Sequence, residues 1–522
     1  MSISAAMQLG ALRDFLIRLR CHDGPVLLEG DSAGFIGYRL GSGDDGAFVE
    51  WALKDGSFTL STDRLGLFPL YYLQDGAELL ISNSVTLIQQ HCKLSLDQQA
   101  IALFLRLGFY LGSDTAFKGV LRPQGQLKLL VNAAEQRLTV TKPSFEPSLH
   151  QHTPARYQEL FSQALAQLKS VSLPLYVPVT GGKDSRHILL TTRQLELELA
   201  SCYTVRVLSP HSNQDVSIAR ALCQQLGIPH QTLDSEQQLV QAERDKNTRT
   251  NFETYDHFWI NPAGQYLASQ APGLVLDGFG GDVLGQSKIV TAQMYQLYQA
   301  RNWSALLQQI APDNAYYQAY FAAKPEWLPN ERQLLQRLQH EMEKYAADVN
   351  PVKSFYFWNR SRRAIAISSF RFLNGHSLPF LPFMQSQVFE FLMTLPNDLY
   401  YSGQFHSQCI AQAFPEFTAV PFATGEDSGD ILNLPTKFNN YRRLLGEILQ
   451  ADFITLAMRP RALLSCLRSH LSKDQAIDFF YFFRPMIYLN QLQQMTSHPK
   501  PQRLRRHSTS GAVAKPPLSA EA

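Results

Sequence analysis

Three features of the chain predict an α+β N-terminal region, built in layers from short strands, followed by an α/β domain on a parallel sheet with a helical C-terminal part. Residues 26–141 read as short apolar segments broken by turn residues, the grammar of hairpins. After Pro154 helical and extended segments alternate, the grammar of a parallel sheet with helices on both faces. Two glycine-rich turns each follow an apolar strand in that second region, and right-handed crossovers put the first of them at the carboxyl end of the sheet, where open α/β sheets bind ligands.

The elements follow in order. Phe35-Ile36-Gly37-Tyr38, the alternating Ala47, Val49, Trp51 and Leu53, Phe58-Thr59-Leu60, Leu70-Tyr71-Tyr72, Leu79-Leu80-Ile81 and Leu127 to Val131 are the first set of strands. Asp44-Asp45-Gly46 and Asp55-Gly56-Ser57 lie between alternating segments and are hairpin turns. A helix over Leu96 to Leu107 interrupts them, and Lys142-Pro143-Ser144-Phe145-Glu146-Pro147 marks a boundary. The second region predicts helix (Arg156–Lys169), strand (Leu175–Val179), helix (Ser185–Leu195), strand (Ala200–Val207), helix (Val216–Leu226), strand (His230–Leu233) and a further strand Leu274–Leu276. From about Thr291 to Leu492 the sequence is mainly helical and rich in aromatic residues. These readings divide the chain into residues 1–145, 154–496 and a Pro-, Ser- and Arg-containing tail over 497–522, expected to be disordered.

The bulk properties bound the function. At 522 residues the chain is too long for one ordinary domain. Hydrophobic residues make up 45% and charged residues 18%, with a net charge of +2. That balance supports large cores and gives no argument for a nucleic-acid partner. The six cysteines, Cys21, Cys92, Cys202, Cys223, Cys409 and Cys466, contain no C-x-x-C pair, which points to a reducing cytoplasm and away from zinc or a disulfide framework. The first six residues, Met1-Ser2-Ile3-Ser4-Ala5-Ala6, carry no basic region, so no signal peptide is expected. No apolar run is long enough for a membrane span.

The chemistry concentrates in Val179-Thr180-Gly181-Gly182-Lys183-Asp184-Ser185. A strand passing through glycines into a helix aims backbone N–H groups and the positive helix end at one spot. Glycine lets the chain approach an anion closely. Thr180 and Ser185 can donate to phosphate oxygens, and Asp184 can hold Mg²⁺. This is not the Walker loop, which needs a Lys-Ser/Thr pair after a longer glycine loop. The second turn, Asp277-Gly278-Phe279-Gly280-Gly281-Asp282, supplies a second carboxylate. If both strands share one sheet, Asp184 and Asp282 converge on a single Mg²⁺.

The first loop resembles the S/T-G-G-x-D-S pyrophosphate loop of the ATP pyrophosphatase (PP-loop) superfamily. With the rest of the chain it is similar to the asparagine synthetase family, which includes the β-lactam synthetases and lasso-peptide cyclases. Asp63-Arg64-Leu65-Gly66-Leu67-Phe68-Pro69-Leu70-Tyr71-Tyr72 resembles that family's D-R-x-G-x-x-P-L-Y-Y. The segment Leu111 to Val120 with Pro123-Gln124-Gly125 resembles the end of the family's glutaminase-type domain, and Leu378-Pro379-Phe380-Leu381-Pro382 its R-x-P-F-L-D, with Pro382 in place of the aspartate. The resemblance implies a glutaminase-like N-terminal domain and a PP-loop synthetase domain. It implies that Val179, Thr180, Gly181, Gly182, Asp184, Ser185, Val205, Asp277 and Gly278 bind ATP, that Asp184 and Asp282 hold Mg²⁺, and that Arg363 is a candidate for phosphate contact.

Departures from the pattern sharpen the expectation. Ser2 stands where glutamine-using members need a cysteine nucleophile, so glutamine hydrolysis is not expected. Phe279 replaces the glutamate of the asparagine synthetases' second turn, which argues against aspartate as substrate and for a larger organic one. His406 occupies the place of a lysine that stabilises leaving pyrophosphate, and Lys183 is the second candidate to supply that charge. The expectation is therefore an ATP-dependent ligase-like enzyme using ATP and Mg²⁺. It joins a small-molecule or peptide carboxylate to an amine, with no nucleic-acid or membrane partner. The alternatives are a nucleotide-binding homologue without turnover and an ammonia-dependent asparagine synthetase. tRNA thiolation by the same kind of loop lacks the expected cysteine pair and basic surface.

Overall fold

The structure is a computed structural model that describes residues 7–20, 26–145, 151–209, 211–312, 330–373, 377–425, 427–450 and 476–497. Ser2, Cys21, Cys466 and nearly all of the expected tail lie outside the described residues. Eleven strands form the N-terminal part: β1 Met7–Gly10, β2 Leu16–Arg20, β3 Leu27–Glu29, β4 Ala33–Leu40, β5 Gly46–Lys54, β6 Ser57–Thr62, β7 Tyr71–Asp75, β8 Glu78–Ser82, β9 Val120–Leu121, β10 Gln126–Val131 and β11 Gln136–Thr141. They make two antiparallel sheets, ordered β1-β4-β5-β6-β10-β11 and β3-β2-β8-β7-β9. The turn Asp55-Gly56 joins β5 to β6 with both residues at positive φ (49° and 75°), the two-residue geometry whose twist matches a hairpin.

A third sheet is entirely parallel: β14-β13-β12-β15-β16. Its strands are β12 Leu175–Pro178, β13 Ser201–Val205, β14 His230–Leu233, β15 Leu274–Leu276 and β16 Leu378–Phe380. The helices Lys183–Gln194 and Gln214–Leu226 connect its strands, as the alternating pattern requires. β16 carries Pro379 and lies at the sheet edge, where a missing N–H is tolerated.

One apolar core runs through both regions, from Ile17, Trp51 and Leu129 to Val177, Ile188, Leu276 and Leu392. Polar contacts cross the same boundary. The Leu381 N–H donates to Tyr38 Oη at 3.1 Å, and Arg64 pairs with Glu390 at 2.5 Å. The most concentrated crossing is ionic. Arg122 and Arg363, each 1% exposed, both pair with Glu253. Arg363 reaches that place from a π-helical segment, Phe357–Ile365, a rare backbone form that tends to mark sites of function. No helix among the described residues is long and apolar enough to cross a membrane.

Candidate functional site

β12 ends at Pro178, and Thr180-Gly181-Gly182 leads into the helix Lys183–Gln194. The turn is organised by its own side chains. Ser185 Oγ accepts from the Thr180 N–H at 3.0 Å, and Thr180 Oγ1 accepts from the Gly182 N–H at 3.1 Å. The Gly181 N–H donates to Asp215 Oδ1 at 2.7 Å. No described side chain caps the helix start, so its first-turn N–H groups remain available to an anion.

The second turn follows β15, the neighbour of β12. It packs directly on Asp184: a Cβ at Gly281 would stand 2.3 Å from Asp184 Oδ1, and one at Gly278 3.2 Å from Asp184 Cβ. The second turn therefore lies against Asp184, and a side chain at Gly281 would displace that carboxylate. Burial, and after it the neighbouring Asp184, pushes the Asp282 carboxyl above the ordinary range. Two carboxylates driven together in this way are a ready place for a cation. Asp277 is raised by burial against hydrogen bonds from Ser369 Oγ (2.6 Å) and the Phe279 N–H (2.9 Å). Among the described residues no group of three or more His, Cys, Asp or Glu forms a metal cage.

Beside the turns lies a cavity of about 640 Å³, within the size range of small-molecule sites. Val179, Thr180, Val205 and Asp277 line it, together with Asp215, which the sequence reading did not single out. Phe258, Trp259 and Phe372 line its apolar part, and Trp259 is 38% exposed. Phe279 is not among the lining residues. Its ring is 5% exposed and packs in the main core, so it shapes the turn and leaves the pocket's chemistry to others.

The other predicted residues are placed as follows. Lys183 Nζ donates to the Gly403 carbonyl at 3.0 Å, and burial, with Lys288 nearby, lowers its pKa. His406 is 1% exposed. Its Nδ1 lies 3.3 Å from Asp184 Oδ1 and its Nε2 3.1 Å from His187 Nδ1. His187 in turn contacts Gln158 Oε1 at 2.7 Å, and burial holds this ring well below the usual histidine range. Asp184 Oδ1 also accepts from Gln286 Nε2 at 2.9 Å. One carboxylate oxygen of Asp184 is thus held from inside the protein. Arg363 is not at the turns: it is committed to Glu253 and to the Gly112 and Asp114 carbonyls. Its neighbour Arg360 acts electrostatically on Asp282. The only sequence signal for Gln286 and Lys288 was their place just after the second turn.

No family model and no curated protein matches the chain. Among solved structures it is similar to an NH3-dependent NAD synthetase from Campylobacter jejuni in complex with the nitrate ion. The identity is 14% and the TM-score 0.19, with 37% of this chain and 95% of that one covered. A likeness at that level says nothing about chemistry.

Proposed function

We propose that the chain is an ATP-dependent ligase-like enzyme that adenylates a substrate carboxylate and passes the acyl group to an amine, without glutamine hydrolysis. The observation that carries this reading is the packing of the Asp282 turn on Asp184, whose charge acts on Asp282, beside an uncapped helix start and a cavity lined by Val179, Thr180, Val205 and Asp277. The donor set fits Mg²⁺, held by Asp184 and Asp282, which when bound would neutralise charge on the phosphate oxygens.

In this reading Thr180, Gly181, Gly182 and Ser185 embrace the pyrophosphate, while Val179, Val205, Asp277 and Gly278 border the nucleoside. The Gly181 N–H would exchange Asp215 for a phosphate oxygen. A substrate carboxylate oxygen attacks the α-phosphorus and the bond to pyrophosphate breaks. The amine nitrogen then attacks the acyl carbon and AMP leaves. The protein contributes position and charge: Lys183 stands at the loop, and His406 acts through Asp184. The apolar lining from Phe258, Trp259 and Phe372 in the same cavity suits the flat base of the nucleoside.

ATP–pyrophosphate exchange across a panel of carboxylates, with calorimetric titration of Mg·ATP, tests the reading. Asp184→Ala is expected to abolish exchange and to weaken Mg·ATP by about tenfold or more. Equal Mg·ATP affinity in both proteins would refute the site. Tight Mg·ATP binding with no exchange for any carboxylate would favour a nucleotide-binding protein without turnover. The Asp215 contact closing the Gly181 N–H is the observation on that side.

A further inference from the structure

The backbone N–H groups of Thr180, Gly181 and Gly182 all have acceptors from this chain, but the acceptors differ in kind. Ser185 Oγ holds the Thr180 N–H at 3.0 Å, and Thr180 Oγ1 holds the Gly182 N–H at 3.1 Å. Both are hydroxyls, and a hydroxyl carries its own O–H, which can turn to donate to a phosphate oxygen. The Gly181 N–H instead meets a carboxylate, Asp215 Oδ1, at 2.7 Å. An ionised carboxylate only accepts, so it offers a phosphate no hydrogen bond and repels it. Of the three acceptors, Asp215 is the one that must leave before a phosphate oxygen takes its place.

Gly181 itself is held still. It is buried, and a Cβ on it would stand 2.7 Å from Ala423 Cβ and 2.9 Å from Asp215 Oδ1. Its carbonyl accepts from the Ala423 N–H at 3.1 Å. The segment around Ala423 is tied down in turn. Arg186, 1% exposed, donates to the Val420 and Pro421 carbonyls at 2.7 and 2.5 Å. Gln214 Oε1, next to Asp215, accepts from the Thr424 and Gly425 N–H groups at 2.6 and 3.1 Å. The glycine is therefore fixed on its carbonyl side, while its N–H ends on a side chain free to rotate. Asp215 is half-buried and lines the 640 Å³ cavity, which gives its carboxylate room to swing off the amide.

We infer that Asp215 is a resident stand-in for phosphate. It holds the Gly181 N–H until a phosphate oxygen displaces it, and retakes that N–H as pyrophosphate leaves. Affinity for pyrophosphate is thereby limited and its release promoted. The inference rests on the adenylating reading, in which pyrophosphate is a product. A ligand that must displace an internal group binds more weakly, in proportion to the fraction of molecules in which that group has moved aside.

Calorimetry on the full chain with Mg·pyrophosphate and, separately, with adenosine tests it. Asp215→Ala is expected to bind Mg·pyrophosphate about tenfold more tightly than wild type, because the amide then stands open. Asp215→Asn keeps an acceptor oxygen for the Gly181 N–H without the charge, and a gain within about threefold is expected. Adenosine has no phosphate and should bind all three proteins alike. Unchanged or weaker Mg·pyrophosphate affinity in Asp215→Ala would overturn the assignment and mark Asp215 as a brace for the loop. Equal gains in the two variants would also overturn it, since charge alone would then be responsible. So would a matching gain for adenosine, which would mark a general change in the cavity. Failure of wild type and both variants to bind Mg·pyrophosphate or Mg·ATP would instead overturn the adenylating reading, and the inference with it.

Discussion

Asp63 receives four backbone N–H groups: Leu65 and Leu67 on Oδ1 at 3.1 and 2.8 Å, Phe68 and Phe48 on Oδ2 at 3.0 and 3.3 Å. The leading aspartate of the D-R-x-G segment is therefore the organiser of its own turn, and Arg64 beside it reaches across to Ser386 and Glu390. Asp63→Asn puts an NH2 group against two N–H donors, a mismatch of donors on donors. A loss of about 2 kcal/mol is expected, read from urea denaturation, and an unchanged midpoint would show that the turn does not depend on the carboxylate. His257 allows a pH test. Burial pushes its ring down to about 4. Its folded pKa thus lies below the unfolded value near 6.5. Between these values the unfolded chain binds the extra proton, so its contribution is complete above about pH 6.5 and is lost as pH falls toward 4. Denaturation of wild type and His257→Asn across that window should differ in slope by up to about 1.4 kcal/mol per pH unit. Parallel pH curves would contradict it.

At the scale of elements, the two turns were legible because their residues have few alternatives. Apolar strand, paired glycines and an acidic residue at a helix start leave little but an anion-facing corner, and the structure puts both turns on neighbouring strands. β16 was not legible: its Leu378-Pro379-Phe380 breaks the alternation that identifies strands, and only the neighbouring β15 makes it one. The same limit applies to Arg363. In sequence it stands in an arginine-rich helical run, and nothing local says which way it points. In the fold it binds Glu253 through Nη2 at 2.8 Å and Nε at 3.1 Å, while Arg122 holds Glu253 Oε2 at 3.1 Å. Glu253→Gln leaves two buried guanidinium groups without their anion, and such losses cost about 3–5 kcal/mol. A thermal or urea midpoint indistinguishable from wild type would refute the importance of this cluster.

At the scale of the whole molecule, the strand–turn grammar of the N-terminal part and the alternation after Pro154 both survive in the fold. What local pattern could not show is how the two parts meet. That information sits in single contacts between distant residues, such as Leu381 with Tyr38 and Gly112 with Asn359 at 2.8 Å. The His187–His406 contact at the back of Asp184 is of the same kind. Each residue of such a pair is unremarkable in its own stretch of chain, and only packing makes it specific.

The segment Phe357–Ile365 ties these scales together. Within four positions Arg360 acts on Asp282 at the turns, while Arg362 donates to the Gly66 carbonyl at 2.8 Å and Arg363 holds Glu253. A π-helical stretch is wider than an α-helix, with roughly one residue more between bonded groups. Removing one residue there would let the backbone rewind to the narrower coil and rotate everything after it by about 100° relative to what precedes it. Arg362 and Arg363 could not then both keep their partners while Arg360 stayed near Asp282. In the genealogy of such a chain, this stretch should tolerate exchange of side chains far more readily than any change in length.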